Sequence, residues 1–357
     1  MEKKVLMKGN EALAEAAMRS GCRHFFGYPI TPQTELAAYM AKQMPKRGGT
    51  FLQAESEIAA INMVYGAAGA GARVMTSSSS PGISLKQEGI SYIAGADLPC
   101  VIINIVRGGP GLGGIQPAQS DYFQATKGGG HGDYHLLVYA PSSVQEMADL
   151  VGVAFDKADQ YRMPAMIMGD GMLGQMMEPV TFKEPIDPAD LPEKEWATTG
   201  TGMNRKKNII NSLYLTPEEL ENLNDARQKR YQTILKEEVQ VEEYKTEDAE
   251  LVFVAYGTIA RIVMSAVNIL REQGVKAGLI RPITLWPFPY EVISKRADSA
   301  KMFLTVEMSQ GQMVEDVRLG VNGKRPVYFY GRNGGMVPDQ EAIAEEAKSI
   351  CKSRGKE

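Results

Sequence analysis

Cysteine is scarce in this 357-residue chain. Its three cysteines, Cys22, Cys100 and Cys351, lie far apart, with no Cys-x-x-Cys or Cys-x-x-His spacing. They cannot supply the four thiolates of an iron–sulfur cluster or close a structural zinc site. An odd, sparse set also argues against a disulfide framework and for a reducing, cytoplasmic setting. No run approaches the ~20 apolar residues of a membrane span. Charge begins at Glu2, Lys3 and Lys4 with no apolar stretch behind it, so no signal peptide is expected. A basic excess is missing too. The net charge of −4 argues against nucleic acid as the main partner. No repeat or low-complexity tract interrupts the pattern.

What is present is an ordinary globular composition, 44% hydrophobic and 23% charged. The length suffices for two domains and a connector. Residues 9–21 read as a helix with Asn10 as N-cap and Gly21 as stop. Strands are expected at 24–28, 50–53, 73–77, 100–106, 135–139 and 165–168, with helices between them. A loop is expected at 78–82. The run 100–106 is apolar throughout, as in a strand buried on both faces. Such alternation predicts a doubly wound, largely parallel α/β domain over 1–185, with ligands at the carboxyl ends of its strands. Residues 186–248 turn proline-rich and charged. They read as a connector with a helix at about 217–238, either a solvated surface helix or a partner-binding arm. A second α/β unit occupies 249–357, and Trp286-Pro287-Phe288-Pro289 forms a rigid corner in it.

Several local features bear on chemistry. Gly27-Tyr28-Pro29-Ile30-Thr31-Pro32 is a strand end locked into a turn by two prolines. Glu57 opens a helix of small and apolar residues. There a carboxylate stays ionised beside the positive helix end while partly buried. No Lys or Arg lies within a turn of it, so its partner must come from the fold or from a ligand. Thr31, residues 78–80 and Arg107 each follow a strand and are expected on one rim. Arg107 could fork onto a carboxylate ligand, or form a structural salt bridge with Asp121 or Asp133. Gly109-Pro110-Gly111-Leu112-Gly113-Gly114 is not a dinucleotide fingerprint, and reads as a flexible loop over a site or subunit boundary. His131 could titrate near neutrality or be polar surface. Ser78, Ser79 and Ser80 have no matching histidine and acid, so no hydrolase nucleophile is expected. Gly169-Asp170-Gly171 is similar to the start of a thiamine diphosphate and magnesium motif, but the asparagine pair that should follow is missing. It reads as a strand-end turn, and no metal site is assigned.

Together these residues resemble the thiamine diphosphate-dependent 2-oxoacid:ferredoxin oxidoreductases. The similarity is to the subunit with a pyrimidine-binding domain followed by a transketolase C-terminal-like domain. It runs through Tyr28-Pro29-Ile30-Thr31-Pro32, Glu55-Ser56-Glu57, Ser79-Ser80-Pro81-Gly82 and Arg107-Gly108-Gly109-Pro110-Gly111. It continues through Tyr256-Gly257-Thr258, Arg281-Pro282-Ile283-Thr284-Leu285-Trp286-Pro287-Phe288-Pro289 and Glu307-Met308-Ser309-Gln310-Gly311-Gln312. The stretch from Gln116 to Tyr122 and on through Lys127 to Tyr134 looks most like the 2-oxoisovalerate (branched-chain) branch. The 2-oxoglutarate branch tends to carry Ser-Thr-Gly-Leu-Pro-Thr where this chain has Gly111-Leu112-Gly113-Gly114-Ile115.

The resemblance implies roles. Glu57 matches the glutamate that hydrogen-bonds the aminopyrimidine ring and favours its imino tautomer; Glu55 is the neighbouring alternative. Thr31 and Arg107 match positions that hold the 2-oxoacid carboxylate, and Tyr28, Pro29 and Ser80 belong to the cofactor-binding motifs. The implied reaction is oxidative decarboxylation of a 2-oxoacid to acyl-coenzyme A with ferredoxin reduced. The magnesium and diphosphate site and the 4Fe–4S clusters would then lie on partner subunits: a thiamine diphosphate/magnesium-binding subunit, a ferredoxin-like subunit and a further small one. Three other readings are a 2-oxoglutarate or pyruvate ferredoxin oxidoreductase subunit, a ferredoxin-independent split thiamine enzyme, and a non-catalytic scaffold that kept the fold.

Overall fold

The computed structural model describes residues 4–354. The first half of the chain runs β1 (Val5–Lys8), α1 (Gly9–Arg19), β2 (His24–Gly27), α2 (Thr34–Gln43), β3 (Thr50–Gln53), α3 (Glu57–Gly69), β4 (Val74–Ser78), α4 (Ser80–Gly95) and β5 (Cys100–Val106). It continues with α5 (Tyr122–Thr126), β6 (Leu137–Tyr139), α6 (Val144–Tyr161), β7 (Pro164–Asp170), α7 (Gly171–Gln175) and β8 (Met177–Val180). The second half runs α8 (Pro217–Glu237), β9 (Val241–Tyr244), β10 (Leu251–Val254), α9 (Gly257–Glu272), β11 (Ala277–Pro282), β12 (Thr284–Trp286), α10 (Tyr290–Ser299), β13 (Met302–Glu307), α11 (Met313–Val321), β14 (Val327–Gly331) and α12 (Gln340–Arg354).

Two sheets organise the chain. The first has seven strands in the order β12-β6-β7-β5-β4-β2-β3, parallel except for β12. Its central strands β4, β5 and β7 are buried along their whole length. Such strands need helices on both faces. Helices α1, α2 and α6 pack together, and α3 and α4 form a second pair. The helix after β2 thus joins one group and the helix after β4 the other. The connections diverge between adjacent strands β2 and β4, which opens a crevice beyond their carboxyl ends. The second sheet has the order β14-β13-β10-β11-β9, parallel except for β9. No helix among the described residues is long and apolar enough to cross a membrane.

Several local expectations are corrected. The 78–82 segment is not a loop: β4 ends at Ser78 and α4 begins at Ser80. Asn10 is not the cap of α1, which starts at Gly9 with Lys8 at the cap position. Its buried amide instead donates to the Pro32 carbonyl at 2.8 Å and to Glu35, anchoring the turn after β2. Residues 284–286, of which Trp286 alone belongs to the expected corner, cross over to pair antiparallel with β6. The charged helix α8 is neither wholly solvated nor free. It buries Arg227, Tyr231 and Ile234, and Arg227 and Arg230 both bond Asp97, at 3.0 and 2.6 Å. Tyr231 packs edge-on to His135 and Trp286, which stack with centroids 4.5 Å apart.

The two α/β units are closely docked. Apolar side chains of α10 and α11 merge with the core of the seven-stranded sheet. Gln119 is the polar rivet: its side chain accepts from Met308 N–H and donates to the Tyr256 carbonyl, at 2.9 and 3.0 Å. Gln312 returns the contact to Phe123 N–H and the Ser120 carbonyl. Buried Asp316 accepts from Tyr122 at 2.5 Å and also from Lys127 and Tyr290. Arg281 forks onto Glu146 and reaches Glu242. The stretch from Gln116 to Tyr122, which carries the branched-chain likeness, is therefore spent largely on holding the units together.

Candidate active site

The site is built at the crevice beyond β2 and β4. Ser56 caps α3 by accepting from Ala59 N–H at 3.2 Å, so Glu57 stands at the first helical position. Glu57 is 6% exposed, and no described residue donates a hydrogen bond to its carboxylate. Glu55, the sequence alternative, points outward and is exposed. Gly82, in the first turn of α4, faces Glu57: a Cβ there would come within 2.6 Å of Glu57 Oε1. Only glycine leaves that carboxylate its space.

Thr31, Ser80 and Arg107 converge on the same rim. Arg107, 6% exposed, donates from Nη1 to the Thr31 carbonyl at 2.9 Å and from Nη2 to the Leu112 carbonyl at 3.1 Å. Its Nε has no partner. Neither Asp121 nor Asp133 neutralises it, so the salt-bridge reading fails. Asp121 instead accepts from Asn104 at 2.9 Å; burial pushes its carboxyl up, against the hydrogen bonds from Asn104 and Ser80. The Ser80 hydroxyl exchanges hydrogen bonds with the Arg107 main chain, accepting from N–H at 3.0 Å and donating to C=O at 3.2 Å. It ties the end of β5 to the start of α4. Gln33, fully buried, bonds Ser77 at 2.6 Å and the Tyr28 carbonyl at 3.2 Å, which pins the turn carrying Thr31 to β4. Thr31 and Pro29 are exposed at that turn, and Tyr28 is half-buried.

Buried polar atoms without partners cluster around this rim. They include the hydroxyls of Ser78 and Ser79 and Arg107 Nε. Buried polar groups are rarely left so, and a concentration of them marks a place where a ligand completes the bonding. A cleft of about 620 Å³ opens beside it, between the two units, lined by Ser80, Gly108, Asp121, Met308, Gln312 and Asn333. The glycine loop folds back over Arg107: Gly114 N–H bonds the Gly108 carbonyl, and Leu112 projects into solvent.

Other sequence candidates lie elsewhere. Asp170 is buried, caps α7 through Met172 and Leu173 N–H, and accepts from Thr258 at 2.5 Å. Its oxygens are engaged by protein donors. Among the described residues, no group of three or more His, Cys, Asp or Glu is disposed to hold a metal ion. Exposed His131 stands edge-on to Tyr92. Glu307 gathers the N–H groups of Gln312, Met313 and Val314 and so shapes the turn into α11.

Two family models cover nearly the whole chain. Residues 15–250 match the thiamine diphosphate-binding domain of pyruvate flavodoxin/ferredoxin oxidoreductases. Residues 249–343 match the pyruvate:ferredoxin oxidoreductase core domain II. The chain belongs to this oxidoreductase family. Its fold is a pyrimidine-binding-like domain followed by a transketolase C-terminal-like one. Among relatives of this 2-oxoacid oxidoreductase family, the ketoisovalerate oxidoreductase subunit VorB of Methanothermobacter thermautotrophicus is 50% identical over 97% of both chains. The 2-oxoglutarate synthase subunit KorA of Methanocaldococcus jannaschii is 37% identical over 94% of this chain and 97% of its own. The solved 2-oxoglutarate:ferredoxin oxidoreductase of Magnetococcus marinus, with 2-oxoglutarate, coenzyme A and succinyl-CoA bound, superposes with a TM-score of 0.87 at 28% identity. That alignment covers 98% of this chain and 65% of the other. An inactive split-gene transketolase tetramer shares the fold, with a TM-score of 0.60 at 14% identity over 96% of this chain and 97% of its own.

Sequence reasoning missed Lys86 and Gln119. The spacing Gly82, Lys86, Gly89 offered a signal for the first, since it puts a lysine on the glycine face of a helix. Nothing local marked Gln119.

Proposed function

We propose that this chain is the pyrimidine-holding subunit of a thiamine diphosphate-dependent 2-oxoacid:ferredoxin oxidoreductase. The reaction is oxidative decarboxylation of a branched 2-oxoacid, 2-oxoisovalerate first among them, to its acyl-coenzyme A with ferredoxin reduced. The observation that carries the reading is the pairing, on one rim, of a buried carboxylate without donors and a buried guanidinium without an anion. Neither group has a hydrogen-bonded partner of opposite charge, and each finds one in a thiamine-bound 2-oxoacid.

The residues fit the cofactor's heterocycle. Bound thiamine diphosphate supplies the nucleophilic carbon and the electron sink for decarboxylation. Glu57 offers a carboxylate to a ring nitrogen and holds the proton there. Gly82 keeps the space in front of that carboxylate open. Arg107 presents a guanidinium, its orientation fixed by two backbone carbonyls, to the substrate carboxylate. Thr31, anchored through its own carbonyl to Arg107, stands at the same edge. Tyr28, Pro29 and Ser80 shape the walls on either side.

The diphosphate and its magnesium need donors that this chain spends elsewhere, since Asp170 is engaged by Thr258 and the α7 amides. A thiamine diphosphate/magnesium-binding subunit would supply them. A ferredoxin-like subunit would carry the 4Fe–4S clusters, a further small subunit would join the assembly, and free Cys22, Cys100 and Cys351 agree with a cytoplasmic setting. The branched-chain preference is supported by the 50% identity to ketoisovalerate oxidoreductase subunits, against 36–37% to 2-oxoglutarate synthase subunits. The test is oxoacid profiling of the assembled complex with a viologen acceptor. The expected order of kcat/KM places 2-oxoisovalerate above pyruvate and 2-oxoglutarate. A complex that prefers 2-oxoglutarate, or oxoacid-dependent reduction by the isolated chain, would refute the assignment.

A further inference from the structure

Lys86 occupies an unusual place. It lies four residues after Gly82 and three before Gly89 on α4, so the three share one helix face. That face meets α3: Gly82 looks onto Glu57, and a Cβ at Gly89 would collide with Ile61. Glu57 and Ile61 are themselves one turn apart on α3. The glycines draw the helices together at both levels, and the lysine side chain is enclosed between them. It is fully buried, and its Nζ has no hydrogen-bond partner.

A buried ammonium without compensation is among the most expensive features a core can carry. The charged and polar groups on the elements packed against α4 narrow its role. On α3, Glu57 is the charge that acts on it. On β5, Asn104 is neutral and bonded to Asp121 and Ser80. On β7, Asp170 is taken by Thr258 and the α7 amides. On α4 itself, Glu88 faces outward and accepts from Tyr92.

We propose that Lys86 is a positioning residue for Glu57, the fixed counter-charge that keeps this carboxylate ionised and aimed out of the α3–α4 seam toward the bound heterocycle. The proposal rests on Glu57 being the group that meets the ring. With the ammonium behind it, the carboxylate leaves a shared proton on the ring nitrogen. Without it, that buried carboxylate has no cation acting on it from the α3–α4 seam. Burial lowers the Lys86 ammonium to about 8, while Glu57 pulls it back up. The ammonium is therefore fully charged only well below that value.

Two measurements test this. In the full chain, the Lys86 side-chain NMR resonance, identified by its loss in Lys86→Met, is titrated with and without Glu57→Gln. The midpoint should fall in the glutamine variant, and an unchanged midpoint overturns the proposal. In the reassembled complex, Lys86→Met should move the acid limb of the kcat profile up by about one pH unit, roughly tenfold in rate on that slope. KM for the oxoacid should stay constant. A superimposable profile overturns the proposal, as does a loss that is equal at every pH. Should Glu57→Gln leave turnover intact in that complex, the assignment of Glu57 to the ring fails. The NMR result would then still report on the electrostatic coupling of Lys86 to Glu57 by itself.

Discussion

Arg107 holds the Thr31 carbonyl at 2.9 Å across the mouth of the crevice, joining the loop after β5 to the turn after β2. Two carbonyls orient a guanidinium but do not neutralise it. The buried Nε stays an unpaired donor, and no carboxylate offsets the charge. Arg107→Lys keeps the charge and loses the fork. The expected result in the assembled complex is a 10- to 100-fold drop in kcat/KM for the oxoacid, about 1.4–2.8 kcal/mol, carried mainly by KM. Steady-state kinetics at fixed pH checks it, and an unchanged KM would remove Arg107 from substrate binding.

The bond from Thr258 to Asp170 fastens the two α/β units beneath this rim. Asp170 is buried, so removing its donor leaves a carboxylate partly unsatisfied. Thr258→Val should cost about 1.5–3 kcal/mol of stability, read as a lower denaturant midpoint of the isolated chain. No loss would mean that the α7 amides satisfy Asp170 unaided.

Asp97 ties α8 to the first unit through Arg227 and Arg230. Its φ of 52° makes asparagine the fitting substitution, since asparagine tolerates the left-handed region. Asp97→Asn should raise hydrogen exchange along α8 with little change in the central strands. The expected loss is about 1–2 kcal/mol, less than for a fully buried pair because Asp97 is partly exposed. Uniform exchange changes across the chain would contradict this.

Acid should weaken the fold. Burial holds the imidazoles of His24 and His135 below their ordinary value. The unfolded chain then binds protons first, so stability is full above about 6.5 and falls as the pH drops below it. Glu15 and Glu146 act in the same direction at lower pH. Burial raises each carboxyl, but hydrogen bonds outweigh it, from Arg19, Arg47 and Tyr39 for Glu15 and from Arg281 and Ser142 for Glu146. Both carboxyls end below the ordinary range. Thermal midpoints between pH 7.5 and 5.5 should decline, and His135→Phe, which keeps an aromatic ring against Trp286, should flatten part of that decline. An identical slope in the variant would assign the effect elsewhere.

Much of this arrangement is legible in the chain because it is local. Ser56-Glu57 announces a capped helix start, and the strand ends before Thr31 and Arg107 follow from the period of apolar residues. Once alternation implies a parallel sheet, topology brings those ends to one rim. What stayed hidden depends on distant partners. Nothing in Thr284, Leu285 and Trp286 shows that they pair with β6, because pairing register is set by both strands. Asn10 has the composition of a cap, yet the Pro32 carbonyl competes for it successfully. Lys86 is invisible for the opposite reason: a lysine on a helix is ordinarily solvated, and only the packing of α4 on α3 encloses it.

The central claim is that Glu57 exchanges a proton with the ring of a cofactor anchored by another polypeptide. The most direct test compares 2-oxoisovalerate-dependent reduction by the complex reassembled with wild-type chain and with Glu57→Gln. Loss of one acid–base group predicts a rate lower by roughly 10²–10⁴-fold with the assembly intact. A rate close to wild type, at equal cofactor occupancy, would contradict the account.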